Sequence, residues 1–193
     1  MSEFKLTIPA GSTFVKDFSY RDDNDRCNDL TGYGARMQMR RQYADQSPAY
    51  SFTMGDGLSI VEDTDAVTFA GGMVVLRSHT LVAGEPIKFA TTGALPTGLT
   101  PGTTYYVIDA SMTPDSFKVS ATPGGSPVVF TETGNGYNTL STVAKSVVRL
   151  SIPAPVTATM FSIYVYDIEL VAGNGDVISF VYGSIQIRPE ATK

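Results

Sequence analysis

The chain has 193 residues, of which 42% are hydrophobic and 17% charged, with a net charge of −5. That is enough apolar mass for one large or two small packed domains and too much for a disordered chain. The single Cys27 excludes an intrachain disulfide, no run of about 18 apolar residues offers a membrane-spanning helix, and 14 basic against 19 acidic side chains leave no basic face able to neutralise several phosphates. Nucleic acid and membrane are therefore not expected partners.

In chain order, the MSEFKLTIPAGS start has no basic region followed by an apolar block, so the expectation is a protein made in a cytoplasm without a secretory signal. Phe4, Leu6 and Ile8 alternate with polar residues and stop at Pro9, which predicts an extended arm. Phe14, Phe18 and Tyr20 share one face of the next strand, with Lys16 breaking the pattern. Arg21 to Asp29 is polar and reads as a loop. Ala35, Met37 and Met39 alternate with Arg36, Gln38 and Arg40, giving one buried and one wet face. Tyr50 to Met54, a Gly55-Asp56-Gly57 turn and Leu58 to Val61 predict a hairpin.

The next stretch differs in texture. Residues 67–144 hold 14 Thr, 10 Gly and 6 Pro but only three basic and four acidic side chains, against seven and eleven in 1–66. Strands are predicted at Val74–Arg77, Ile87–Thr91, Tyr105–Ile108, Phe117–Ser120 and Val128–Thr131, separated by Pro/Gly turns. Strands in the earlier rhythm resume at Val147 to Ile152, stopped by Pro153 and Pro155. Then Tyr164, Tyr166, Ile168 and Leu170 face one way and Phe161, Ile163 and Val165 the other. Asn174-Gly175 reverses the chain, and Val177 to Tyr182 and Ser184 to Arg188 complete the pattern. No window sustains helical periodicity. The reading is all-β. Residues 1–66 and 145–193 form a discontinuous β-sandwich, and 67–144 a small all-β domain inserted in one of its loops. Residues 1–66 alone have too little core to fold comfortably, which disfavours a tandem of two domains.

The segment Asp29-Leu30-Thr31-Gly32-Tyr33-Gly34-Ala35-Arg36-Met37-Gln38 resembles a strand of an immunoglobulin-like module of tailed-bacteriophage virion proteins. Tyr164 to Leu170 and the Gly183 to Thr192 tail are similar to the final strands of that module. His79 to Ile87 and Thr92 to Val107 resemble a small β-module of phage tail and fibre proteins. Asp25-Arg26-Cys27-Asn28 departs from the usual Asp-Gly turn of the module. The resemblance implies an immunoglobulin-like sandwich and a virion structural protein of the tail, baseplate or neck, binding copies of itself and neighbouring virion proteins. Capsid decoration, or receptor and glycan binding by the inserted domain, are the alternatives. Phe4, Leu6 and Ile8 are the candidate assembly contacts.

Catalytic constellations are not legible. His79 is the only histidine, and one His with one Cys cannot close a zinc site. Nothing marks a nucleophile elbow. Asp22, Asp23, Asp25 and Asp29 gather oxygens as calcium sites do, but lack the Gly and the closing Glu of an EF-hand. Gly32-Tyr33-Gly34 has no third glycine and precedes a strand, so it is no nucleotide loop. Arg36, Arg40 and Arg41 read as a salt-bridged wet face and Cys27 as a spectator thiol, while Asp167 with Glu169, the sole same-face carboxylate pair of a strand, fits the paired carboxylates of a hydrolase and a solvent stripe equally well. Of the adjacent Tyr105 and Tyr106, one is expected in the core and one at the surface. No enzyme activity, cofactor or metal is expected.

Overall fold

The structure, a computed structural model, describes residues 2–24 and 26–189 and is nearly all-β. It divides into two compact units. The first takes the described residues up to Phe18, Leu30–Val61 and those from Val147 onward, and the second takes Ser19–Asp29 and Glu62–Ser146. The polar 19–29 segment thus groups with the middle of the chain.

The first unit is an eight-stranded ladder. Its strands are β1 (Ser2–Pro9), β2 (Phe14–Ser19), β3 (Gly34–Arg40), β4 (Tyr50–Met54) and β5 (Gly57–Val61), and, numbered after the second unit, β12 (Val147–Ile152), β13 (Ile163–Val171) and β14 (Val177–Arg188). Their order is β1-β14-β13-β3-β4-β5-β12-β2. The end strands approach each other through Phe4 and Phe18, whose rings meet edge-on at 5.5 Å, so the ladder folds back on itself around a core. Met37 and Met39 on β3 pair with Ile168 and Tyr166 on β13, all four buried. The alternation of both strands dictates that register, because a slip of one residue would turn every apolar side chain outward.

Three sequence expectations change here. Residues 50–61 are not an antiparallel hairpin. β4 bonds β3 and β5 bonds β12, and the two touch only in a short parallel register at Thr53↔Gly57 and Met54↔Leu58. The Gly55-Asp56-Gly57 turn, positive in φ at both glycines, carries the chain from one ladder to the other. Residues 177–188 are one strand, for Gly183 does not interrupt it. A Cβ there would lie 2.8 Å from the Phe4 carbonyl carbon, so glycine permits β1 to pair in parallel along β14. Tyr166, opposite Gly183 in the ladder, reaches over and donates its hydroxyl to the Phe4 carbonyl at 3.3 Å. Lys16 does not break the β2 face. Its ammonium sits 5.9 Å from the Phe18 ring centre, so the aliphatic stem follows the inner face and the head escapes. A one-turn helix, α1 (Ala154–Thr157), follows Pro153; Thr157 is fully buried and donates its hydroxyl to Ser12 O at 2.7 Å.

The second unit is a closed six-stranded barrel of β6 (Thr64–Ala70), β7 (Met73–Val75), β8 (Pro86–Thr91), β9 (Thr104–Thr113), β10 (Ser116–Ser120) and β11 (Asn138–Thr142), in the order β10-β7-β6-β11-β8-β9. Sequence reading missed β6, which straddles the expected boundary at residue 66, and β11, whose Asn-Thr-Leu-Ser-Thr run has one large apolar residue. It also expected a strand at Val128–Thr131 where none of the barrel strands lies. There Val128 donates its N–H to Val119 O and Phe130 drops into the core. Phe69 packs edge-on against Phe89 and Phe130 at 5.6 and 5.7 Å, with Ile87, Val107, Phe117 and Leu140 around them. Tyr105 is buried and accepts the Thr100 N–H at 2.9 Å through its hydroxyl, whereas Tyr106 is only half-buried. Closure leaves no unpaired sheet edge among the described strands of this unit.

Candidate functional site

The expected docking arm is a strand of the first unit. Leu6 and Ile8 point into the core, and Ser2 to Pro9 pair residue for residue with Val181 to Arg188. Only Phe4 keeps substantial exposure, at 38%, and its ring rests on Phe18. Alternation of Phe4, Leu6 and Ile8 signalled a strand; it could not signal that a partner strand 179 residues away already covers it.

Val15, Tyr43, Met54 and Val177 of the first unit are also exposed, but singly, and an adjacent pair stands at the β13 end. Phe161 and Ile163, at the start of β13, are each 56% exposed. The Arg41 guanidinium lies 4.2 Å from the centre of the Phe161 ring, a cation–π stack. Between the two apolar residues Ser162 has φ 72°, a left-handed conformation that costs a non-glycine residue about 1 kcal/mol. The Ile187 N–H bonds the Ser162 carbonyl at 2.9 Å and holds it there. Behind this patch Tyr50 and Tyr164 meet edge-on at 5.7 Å, and the Tyr50 hydroxyl lies 3.1 Å from that of Thr159. The wet face of β3 and β13 carries Arg36–Glu169 at 2.6 Å and Arg40–Asp167 at 4.0 Å. Asp167 is raised by partial burial and by Glu169. Each of the two carboxylates thus faces an arginine across the β3–β13 ladder.

In the second unit the 19–29 segment packs against the barrel. Asp22 Oδ1 accepts the N–H groups of Asn24 and Arg26 at 2.8 and 2.9 Å, and its carboxyl is held low by the Arg26 bond first of all. The aspartate is thus engaged in shaping its own loop. Asp25, a member of the expected oxygen cluster, lies outside the described residues, as do residues 190–192 of the resembling tail. Among the described residues no group of three or more His, Cys, Asp or Glu is placed to hold a metal ion.

The other end of this segment makes a cavity of about 220 Å³, lined by Arg26, Cys27, the Val82–Pro86 turn, Thr142 and Ala144. Cys27 is half-buried. Burial, then the neighbouring Glu85 carboxylate, push its thiol up to about 11. Glu85 itself is only 7% exposed. Its Oε2 accepts the Val82 N–H at 3.0 Å, its own N–H donates to Val82 O, and its Oε1 has no hydrogen-bond partner. The fully buried Ser146 hydroxyl is likewise unpartnered. Sequence reading passed over Glu85. The available signal was a carboxylate between Gly84 and Pro86 in an almost charge-free stretch. A smaller cavity, about 130 Å³, lies beside Arg21, Asp63, Asp65 and His79. There Arg21 bonds Asp63 at 3.3 Å and Thr80 O at 3.2 Å. His79, expected only as a turn residue, stacks edge-on against Phe117 at 5.0 Å with both ring nitrogens buried and unpartnered.

No protein-family model matches the chain, and no curated protein matches it.

Proposed function

We propose that the chain is a non-enzymatic structural component of a tailed-bacteriophage virion, in the tail, baseplate or neck, working through contacts with neighbouring virion proteins and with copies of itself. On this reading the first unit is an immunoglobulin-like sandwich and the second a β-module inserted into it. Support comes from the resembling segments, which form β3 and β13 and pair in register at the centre of the first unit. The observation that carries the assembly role is the Arg41–Phe161–Ile163 patch. Two large apolar side chains stand in water on a rigid strand end, and the backbone accepts a left-handed serine to present them. Scattered exposed apolar residues are ordinary; a stacked guanidinium with adjacent apolar groups is the composition of an interface centre. Capsid decoration would use the same surface.

The test is to label particles of the phage that encodes this chain with antibodies against the purified protein, and to compare wild type with Phe161→Ser/Ile163→Ser. Label at one defined virion site, lost in the double variant while its circular dichroism and melting are unchanged, is the expected result. A chain absent from purified particles overturns the proposal.

A further inference from the structure

The start of β13 carries more chemistry than its two apolar side chains. In the ladder β13 runs between β14 and β3. On the β3 side the Arg41 guanidinium lies over the Phe161 ring at 4.2 Å. On the β14 side Ile163 pairs with Gln186, and the Ser162 carbonyl accepts the Ile187 N–H, which brings Arg188 alongside Phe161. Arg188 is exposed and flanks the buried Ile187 as Gln186 does, so it stands on the same outward face as Ile163. Two arginines thus border two exposed apolar residues. Among the described residues neither of these guanidiniums has a carboxylate within 4.0 Å. The neighbouring Asp167 faces Arg40, and Asp45 Oδ2 accepts the Gln42 N–H. Adjacent strands lie about 4.8 Å apart, so the two arginines leave the sheet about 10 Å from each other across β13.

These features select a partner. Two unneutralised guanidiniums beside bare apolar groups, on a chain of net charge −5, are complementary to carboxylates that carry an apolar side chain between them. A guanidinium grips a carboxylate through two parallel N–H bonds, and a ring that keeps water off one side strengthens the pair. In an extended segment alternate side chains share a face. Acidic residues four apart, with an apolar residue midway, therefore present all three groups together over about 13 Å, within reach of two long arginine side chains. Phosphates would satisfy the arginines but leave Phe161 and Ile163 bare, and a nucleic acid calls for a longer basic track. Resting on the assembly reading above, we propose that the Arg41–Phe161–Ile163–Arg188 patch receives an extended acidic segment of a neighbouring virion protein, with one carboxylate on each arginine and an apolar side chain on Phe161 and Ile163.

The experiment titrates the ¹⁵N-labelled full chain with the peptide acetyl-Asp-Thr-Phe-Thr-Asp-amide, with its Asn-for-Asp counterpart, with a short oligothymidylate and with phosphatidylserine vesicles. Shifts of the Arg41, Phe161, Ile163 and Arg188 amides at millimolar acidic peptide are expected. Binding should fall about tenfold with the Asn peptide and again in Arg41→Glu/Arg188→Glu, whereas Arg41→Lys/Arg188→Lys, which keeps the charge, should retain part of it. In phage particles the double Glu variant should be lost while its circular dichroism and melting match wild type. Equal binding of the two peptides, no shift with the acidic peptide at about 10 mM, tighter binding of oligothymidylate or vesicles, or normal incorporation of the double Glu variant would overturn the proposal. Absence of even the wild-type chain from particles would instead fail the virion reading, and the peptide titration then decides the chemistry of the patch by itself.

Discussion

Cys27 offers the sharpest check on the geometry of the second unit. Its thiol is pushed from 9.0 to about 11, first by burial and then by Glu85. The thiolate is the form that reacts with alkylating agents. At pH 8 a thiol of 9.0 is about one tenth ionised and one near 11 about one thousandth, so the native chain should react with iodoacetamide about a hundredfold more slowly than the chain unfolded in guanidinium. Following alkylation by intact mass from pH 7 to 10 should give a native rate that climbs about tenfold per pH unit without levelling. Glu85→Gln removes the like charge and should raise the native rate at pH 8 while leaving the unfolded rate unchanged. Native and unfolded rates within about threefold of each other at pH 8, or a native plateau near pH 9, would refute the placement of the thiol beside a buried carboxylate.

Other outcomes follow from single contacts. Gly183→Ala should drive β1 off β14 and cost upwards of about 2 kcal/mol in urea unfolding, with loss of amide protection from residue 3 to 8. Phe69→Ala, which removes two edge-on ring contacts from the barrel, should cost about 3 to 5 kcal/mol. Arg149 grips Asp17 through two 2.8 Å bonds at a half-exposed site, so Arg149→Ala should cost no more than about 1 kcal/mol, and less in 1 M salt. Asp65 is raised above 3.8 by burial and by Asp63. A carboxyl raised in the folded state favours folding while protonated, and that contribution disappears as pH rises through its folded value. Asp65→Asn should therefore raise the melting temperature at pH 7 and make no difference near pH 3.

The all-β character was legible because period-two alternation is local. Met37, Met39, Tyr164 and Tyr166 announced their buried face unaided, and Asn174-Gly175 its turn. What sequence concealed was pairing across distance. Leu6 and Ile8 read as an arm because their cover, Ile185 and Ile187, comes from the far end of the chain. Gly183 read as a break because a glycine that admits a neighbouring backbone looks the same in sequence as one that ends a strand. β11 escaped notice because Thr and Ser flank Leu140, and a strand paired on both sides in a barrel needs few large side chains of its own. Glu85 stood inside the His79–Ile87 resemblance, but with no role attached to it; that its Oε1 lacks a donor is visible only in the folded chain.

Val61 and Val147 are direct partners in the β5–β12 ladder, although 85 residues separate them. Closing a loop of that length in an unfolded chain is entropically costly, and it becomes cheap once the intervening residues have collapsed and brought their ends together. On the ribosome the barrel strands are complete by Thr142, whereas β1 must wait for β14, the last of the described strands to be made. The barrel thus serves as a staple that forms first, and the opening strand, with Leu6 and Ile8 still uncovered, is the part of the nascent polypeptide most in need of a chaperone.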